Sequence, residues 1–198
     1  MINWKNLYEK LSDMNRIVLS THENPDGDGL GCAHAMHHIA KKMNIESKII
    51  TATKFSKQYN FLNQDNCIEL YDYDIHYNWI KDADAAFIFD VGDFVRLRDV
   101  GRALIENKIY TFNIDHHPSL KNSSFNENYV DTAAAATGEM IYEFIKKNEI
   151  NFTKDEAIGV YTAVMTDTGS FRHSNTNSNC HKIAMECIEL GVNSSRAV

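Results

Sequence analysis

The sequence predicts an α/β protein: a mainly parallel β-sheet flanked by helices on both faces, with a mostly helical C-terminal part. Three observations lead there. Up to His117, short apolar runs of strand length alternate with segments of helical period, the pattern of strands joined by helical crossovers. One run, Ala85 to Phe89 (AAFIF), is apolar throughout, as a strand covered on both faces should be. Beyond His117 the strand signals thin out and three helical segments follow.

Each element rests on its own pattern. Trp4 to Asn15 places Leu7, Leu11 and Met14 at helical spacing. Arg16 to Ser20 (RIVLS) is a first strand. Cys32 to Met43 is a helix, with Ala33, Met36, Ile39, Ala40 and Met43 on one period. Ser47 to Ala52, Asn66 to Tyr71, Ala85 to Phe89 and Ile109 to Ile114 complete the expected strands. Ala133 to Lys147, Lys154 to Thr166 and Asn179 to Leu190 read as helices, the last closed by Gly191, a good residue after a helix end.

Composition bounds the function. A chain of 198 residues makes one ordinary domain, or a large one with a small appendage, and buries a core without staples. Apolar residues are 43% and charged residues 24%, which excludes wholesale disorder. No run approaches the roughly 18 apolar residues of a membrane span. MINWKNLYEK has no apolar signal region, so a cytoplasmic location is expected. The net charge of −7 argues against a protein that coats long duplex DNA, which needs many cationic contacts. Cys32, Cys67, Cys180 and Cys187 form no C-x-x-C pair and are read as free, buried or half-buried thiols.

The punctuation of the chain is concentrated around acids and imidazoles. Both prolines, Pro25 and Pro118, stand inside Asp/His clusters, and Gly27, Gly29 and Gly31 follow the first. RIVLS runs into His22, Asp26 and Asp28; AAFIF runs into Asp90 and Asp93; IYTFNI runs into Asp115, His116 and His117. In an open parallel sheet, ligands bind at the carboxyl ends of strands. Three strands delivering Asp and His to that edge suit a divalent cation such as manganese, magnesium, iron or zinc. Asp26 and Asp28, read as an extended turn, would reach neighbouring ions. Asp167 closes a helix, where a carboxylate opposes the helix dipole and calls for a cation. Asp26, Asp28, Asp90 and Asp167 together match the charge of two divalent ions.

These motifs resemble those of the DHH phosphoesterase superfamily. The match runs from His22-x-x-Pro25-Asp26-Gly27-Asp28 through Asp90 and Asp115-His116-His117 to Asp167, in order. DGDGLG, NIDHHPS and TDTGSFRHSNT look most like the oligoribonuclease and phosphoadenosine-phosphatase branch. The resemblance implies two manganese ions, with magnesium, iron(II) or cobalt(II) as substitutes. His22 and Asp26 would hold the first ion. Asp28, His116 and Asp167 would hold the second, and Asp90 would bridge. His117 would face the substrate phosphate, and Asp115 would orient His116 from behind. Arg172 is a candidate phosphate contact. Asp90, Asp115 and His117 would therefore be the catalytic groups. The implied reaction is hydrolysis of phosphodiester or phosphomonoester bonds in short RNA or small nucleotides, including 3′-phosphoadenosine 5′-phosphate.

Family members carry a second domain with a glycine-rich, histidine-containing motif. No such motif precedes Val198, so residues 1–198 are expected to be the catalytic domain alone, with a homodimer left open. Rival readings within the enzyme class are a cyclic dinucleotide phosphodiesterase, an inorganic pyrophosphatase and a RecJ-like exonuclease. A non-catalytic, metal-binding regulatory module is the rival of another class. His34, His37 and His38 share a helix at a spacing that can bind zinc, but that helix leads away from the strand edge, and they are read as bystanders. The aromatic stretch from Tyr59 to Trp79 is read as a satellite core rather than a base-stacking platform.

Overall fold

A computed structural model describes residues 2–118 and 124–196; Met1, residues 119–123 and the chain end at 197–198 lie outside the described residues. The six strands are β1 (Arg16–Thr21), β2 (Glu46–Thr51), β3 (Ile68–Leu70), β4 (Ala85–Phe89), β5 (Tyr110–Asp115) and β6 (Glu127–Val130). They form one sheet in the order β3-β2-β1-β4-β5-β6, and every neighbouring pair is parallel. The helices are α1 (Trp4–Ser12), α2 (Gly27–Lys42), α3 (Tyr73–Lys81), α4 (Arg98–Glu106), α5 (Thr137–Lys147), α6 (Lys154–Asp167) and α7 (Ser178–Glu189).

Strand alternation divides the interior. Ile17, Leu19, Ile49, Phe87 and Phe112 face the larger core with α1, α2, α5, α6 and α7. Val18, Ile50, Ala86 and Ile88 face a smaller core with α3 and α4. Phe87 and Phe112, level with each other on β4 and β5, stack at 4.8 Å. Burying a side chain of this size contributes about 1.5–3 kcal/mol.

The strand order reverses between β1 and β4, whose pairing runs from Ile17↔Ala85 to Thr21↔Phe89. A crevice opens at such a switch point, outside the carboxyl ends of the strands. Helices α2 and α6, on one face of the sheet, pack directly on each other through glycine. A Cβ on Gly31 would lie 2.3 Å from the Gly159 carbonyl oxygen, and a Cβ on Gly159 the same distance from the Gly31 oxygen. This backbone contact brings the start of α2 and the end of α6 to the same edge.

The structure corrects the sequence reading in places. Helix α2 begins at Gly27, within the glycine-rich segment read as an extended turn, because Asp26 caps it through Asp28 N and Gly29 N. The sequence pattern predicts neither strand β6 nor helices α3 and α4. β6 is four residues, too short for a periodic signal. α3 carries much of the aromatic stretch, with Tyr73 exposed and Tyr77 and Trp79 against the smaller core. All four cysteines are free and buried.

Candidate metal centre

His22, Asp26 and Asp28 are delivered by β1 and the start of α2, Asp90 by the end of β4, His116 and His117 by the end of β5, and Asp167 by the last position of α6. Three overlapping groups of donor atoms result, each with all members within 4.8 Å: His22, Asp26 and Asp90; Asp28, His116 and Asp167; and Asp90, His116 and His117, whose Nδ1 is 3.1 Å from Asp90 Oδ1. Asp90 lies between the first two. One of its oxygens is 3.4 Å from His22 Nε2 and the other 3.6 Å from His116 Nε2.

The imidazoles are pre-set. His22 Nδ1 meets the Glu23 carbonyl at 2.6 Å, and His116 Nδ1 meets the Ala134 carbonyl at 3.3 Å. A carbonyl only accepts, so Nδ1 carries the proton in both rings and Nε2 faces the acids. Ligating histidines are oriented in this way. His116 Nε2 is buried and makes no hydrogen bond, although Asp167 is 3.1 Å, Asp90 3.6 Å and Asp28 3.8 Å away. Three carboxylates converging on one unsatisfied nitrogen fit a cation among them better than a closed hydrogen-bond network.

Asp28 is fully buried, and its position depends on α5. That helix has Ala136 at its cap position and no capping side chain of its own. Asp28 supplies the cap from α2: Thr137 N donates to Oδ2 at 2.8 Å and Gly138 N to Oδ1 at 2.9 Å. The Thr137 hydroxyl also lies 3.4 Å from Asp90 Oδ1. The sequence reading missed Thr137 and Gly138. Their only signal is a helix start after an alanine run with no capping residue. It also missed Cys32, whose thiol donates to Asp28 Oδ1 at 3.6 Å. Burial and the nearby Asp28 push that thiol far above its ordinary range, so it presents no thiolate.

Among the protein groups alone, the histidines take up positive charge. Burial works against a proton on His22, but Asp26 and Asp90 outweigh it and hold the ring at about 10. Burial is likewise outweighed at His116 by Asp167 and Asp28, giving about 9. Asp115 and Asp90 hold His117 at about 10. Asp28 is raised by burial and by the Asp90 and Asp167 charges. At Asp90, burial is outweighed by His117 and His22, and its carboxyl falls to about 2. Protons thus stand where cations would offset the same carboxylates.

Asp115 corrects an expectation. Placed behind His116 by the resemblance, it instead holds His117: Oδ1 accepts from the His117 backbone N at 3.0 Å and lies 2.9 Å from Nδ1. The turn after β5 folds the next residue but one back onto its carboxylate, leaving His116 to Ala134. The His117 side chain is half exposed and opens outward. Arg172 stands outside the donor cluster. Its Nε donates to the Gly169 carbonyl at 3.0 Å, and it lines a cavity of about 210 Å³ with Tyr59, Thr166 and Ser170. The segment after Asp167 is left-handed at Gly169, Ser170 and Phe171. A Cβ on Gly169 would lie 2.2 Å from the His173 ring. Asp90 is also left-handed, at φ 60, the kind of strain that gathers at functional sites.

Fold and site together define a doubly wound parallel α/β protein with a carboxylate–imidazole cluster at its switch point. The chain belongs to the DHH family: residues 16–164 match the description of the DHH family, N-terminal domain. It is similar to the bifunctional oligoribonuclease and PAP phosphatase NrnA of Thermus thermophilus, 28% identical over 178 residues, or 89% of this chain and 50% of that protein. A more distant relative is a "Probable manganese-dependent inorganic pyrophosphatase" of Streptococcus equi subsp. zooepidemicus, 21% identical over 89% of this chain and 56% of that one. Among solved structures, an exopolyphosphatase-related protein from Bacteroides fragilis superposes with a TM-score of 0.88 at 21% identity, covering 98% of this chain and 58% of that one. The chain spans about half the length of the curated relatives it matches. Among the described residues, no helix is long and apolar enough to cross a membrane.

Proposed function

We propose that this chain is the catalytic domain of a manganese-dependent phosphoesterase that hydrolyses short oligoribonucleotides or small nucleotides such as 3′-phosphoadenosine 5′-phosphate. The observation that carries the reading is the convergence of carboxylates from β1–α2, β4 and α6 on the buried, unsatisfied Nε2 of His116. His22 and Asp26 would hold one ion, Asp28, His116 and Asp167 the other, with Asp90 between them. Two divalent ions supply an activated water nucleophile and neutralise charge at the phosphoryl group. The chain's own residues do the rest. Asp28 is fixed by two backbone amides of α5 and holds its carboxylate steady. Asp115 fixes the half-exposed His117, which is placed to meet a phosphoryl oxygen from the open side. Arg172 is a substrate contact further out, on the cavity it lines with Tyr59, Thr166 and Ser170.

The relatives' names support the substrate class, and the net charge of −7 favours a short substrate over a long polyanion. The test incubates the chain with manganese and, separately, a diribonucleotide, 3′-phosphoadenosine 5′-phosphate, cyclic di-AMP and pyrophosphate. Cleavage of the first or second, lost in Asp28→Asn and Asp167→Asn, is expected. Cleavage of pyrophosphate or cyclic di-AMP alone assigns a different branch. Tight manganese binding with no hydrolysis of any substrate favours a regulatory module.

A further inference from the structure

Helix α2 carries a second, chemically different group of donors. A ring nitrogen of His37, a carboxylate oxygen of Asp65 and Cys67 Sγ lie within 4.8 Å of one another. The three come from separate parts of the fold: His37 from α2, Asp65 from the turn after the 3₁₀ segment Lys57–Asn63, and Cys67 from the residue before β3. The turn sits at the amino ends of β2 and β3, opposite the edge that carries the acidic centre. Along α2, His37 is roughly 14 Å from Asp28 at the helical rise.

The group has the features of a built site. The His37 ring is fixed by a 2.8 Å contact between Nδ1 and the Ser47 hydroxyl. Cys67 is buried, His37 half-buried and Asp65 exposed, so the carboxylate side opens to solvent. Asp65 also lines a cavity of about 280 Å³ with His34 and His38. His34 is only 5% exposed, and its Nδ1 has no hydrogen-bond partner. The His38 ring stands 4.6 Å from His34 and 5.4 Å from His37. Three imidazoles, a carboxylate and a thiol are therefore gathered in one place, with His34 and Cys67 buried and Asp65 at the surface.

We propose that His37, Asp65 and Cys67 bind a thiophilic divalent cation of the zinc class, tying α2 to the turn that leads into β3. The donor set decides the ion. Imidazole, carboxylate and thiolate together suit zinc, whereas manganese prefers oxygen donors. The Cys67 S–H bond breaks on binding, its proton passes to solvent, and a sulfur–metal bond replaces it. Thiolate and carboxylate then balance the two positive charges, and the adjoining cavity leaves room for a fourth ligand. The role is structural: the ion closes the loop between α2 and β3 and does no chemistry on substrate.

The test uses the full chain, stripped with chelator and preloaded with manganese, then titrated with cobalt as a spectroscopic stand-in for zinc. A thiolate-to-cobalt charge-transfer absorption should rise and be bleached by about one equivalent of zinc, one ion filling one thiolate-bearing site. Cys67→Ser and His37→Ala should abolish it, and Cys32→Ser should retain it. Asp28→Asn should also retain it while losing hydrolysis, so failure of this site and failure of the phosphoesterase reading give different results. Should Cys67→Ser fail to fold, alkylation of Cys67 in the unaltered chain, mapped by mass, is expected to slow at least about tenfold with zinc. No thiolate absorption in the folded chain, absorption that survives Cys67→Ser, or zinc-independent alkylation would overturn the proposal.

Discussion

At its first turn α2 offers Asp28, fully buried and gripped by two amides, beside His116, Asp90 and Asp167. Further along, the same helix offers His37 beside an exposed Asp65 and a buried thiol. The first cluster is rich in oxygen, shares Asp90 between two groups and stands at the carboxyl edge where the strand order reverses between β1 and β4. The second contains sulfur, has no shared carboxylate and lies at the opposite end of the sheet. One helix thus presents hard donors where a phosphate could enter and softer donors where the chain only needs to be held. The first cluster stands at the carboxyl ends of the strands, where open parallel sheets bind ligands.

The largest expected effect breaks the first region and leaves the second intact. Asp28→Asn removes a charge from the buried cluster and should lower turnover by more than the roughly 100-fold that loss of an outer partner costs. Steady-state hydrolysis of a diribonucleotide checks it, with far-UV circular dichroism confirming that the helices persist. Asp115→Asn should cost about 10–100-fold, because His117 loses the carboxylate that fixes it. Its metal content should be unchanged, separating it from the ligand variants. Gly159→Ala should cost about 1–3 kcal/mol by overpacking against the Gly31 carbonyl, read as a drop in urea midpoint. It should also weaken manganese binding, since α6 carries Asp167.

A pH series sharpens the contrast with the smallest shifts. His22 and His116 are raised from 6.5 to about 10 and about 9. Their charged forms stabilise the chelator-stripped fold fully below pH 6.5, and that contribution is lost as pH rises through the raised values. The melting temperature of the stripped chain should therefore fall between pH 6.5 and about 9. Manganese competes with the same protons, so its affinity should rise over that interval. The manganese-loaded chain should not show the fall.

Much of this was legible because each signal was local. The apolar run Ala85–Phe89, the segment after Arg16 and the three C-terminal helices carry their periods within a few residues. The order of the acidic motifs pointed to one edge of the sheet. What escaped was set by contacts between distant segments. Helix α4 has its amphipathic pattern in nine residues after a 3₁₀ stretch, and β6 is a strand because β5 lies beside it. Thr137 and Gly138 grip Asp28 with backbone amides, which any residue but proline offers, so no side chain announces the role. Asp115 turns to His117 and not His116 because of the backbone after β5. The nearness of Asp65 and Cys67 to His37 could not be read locally, because they reach it only through the pairing of β2 with β3.

The proposed function requires the ends of β1, β4, β5 and α6 to hold two ions side by side. Electron paramagnetic resonance of the Cys67→Ser chain titrated with manganese tests it most directly, with the second donor group disabled. Two ions per chain with the broadened signal of an exchange-coupled pair, reverting to an isolated-ion spectrum in Asp90→Asn, is the expected result. A sharp isolated-ion spectrum at saturation in the chain that keeps Asp90, or no manganese bound at all, would contradict it.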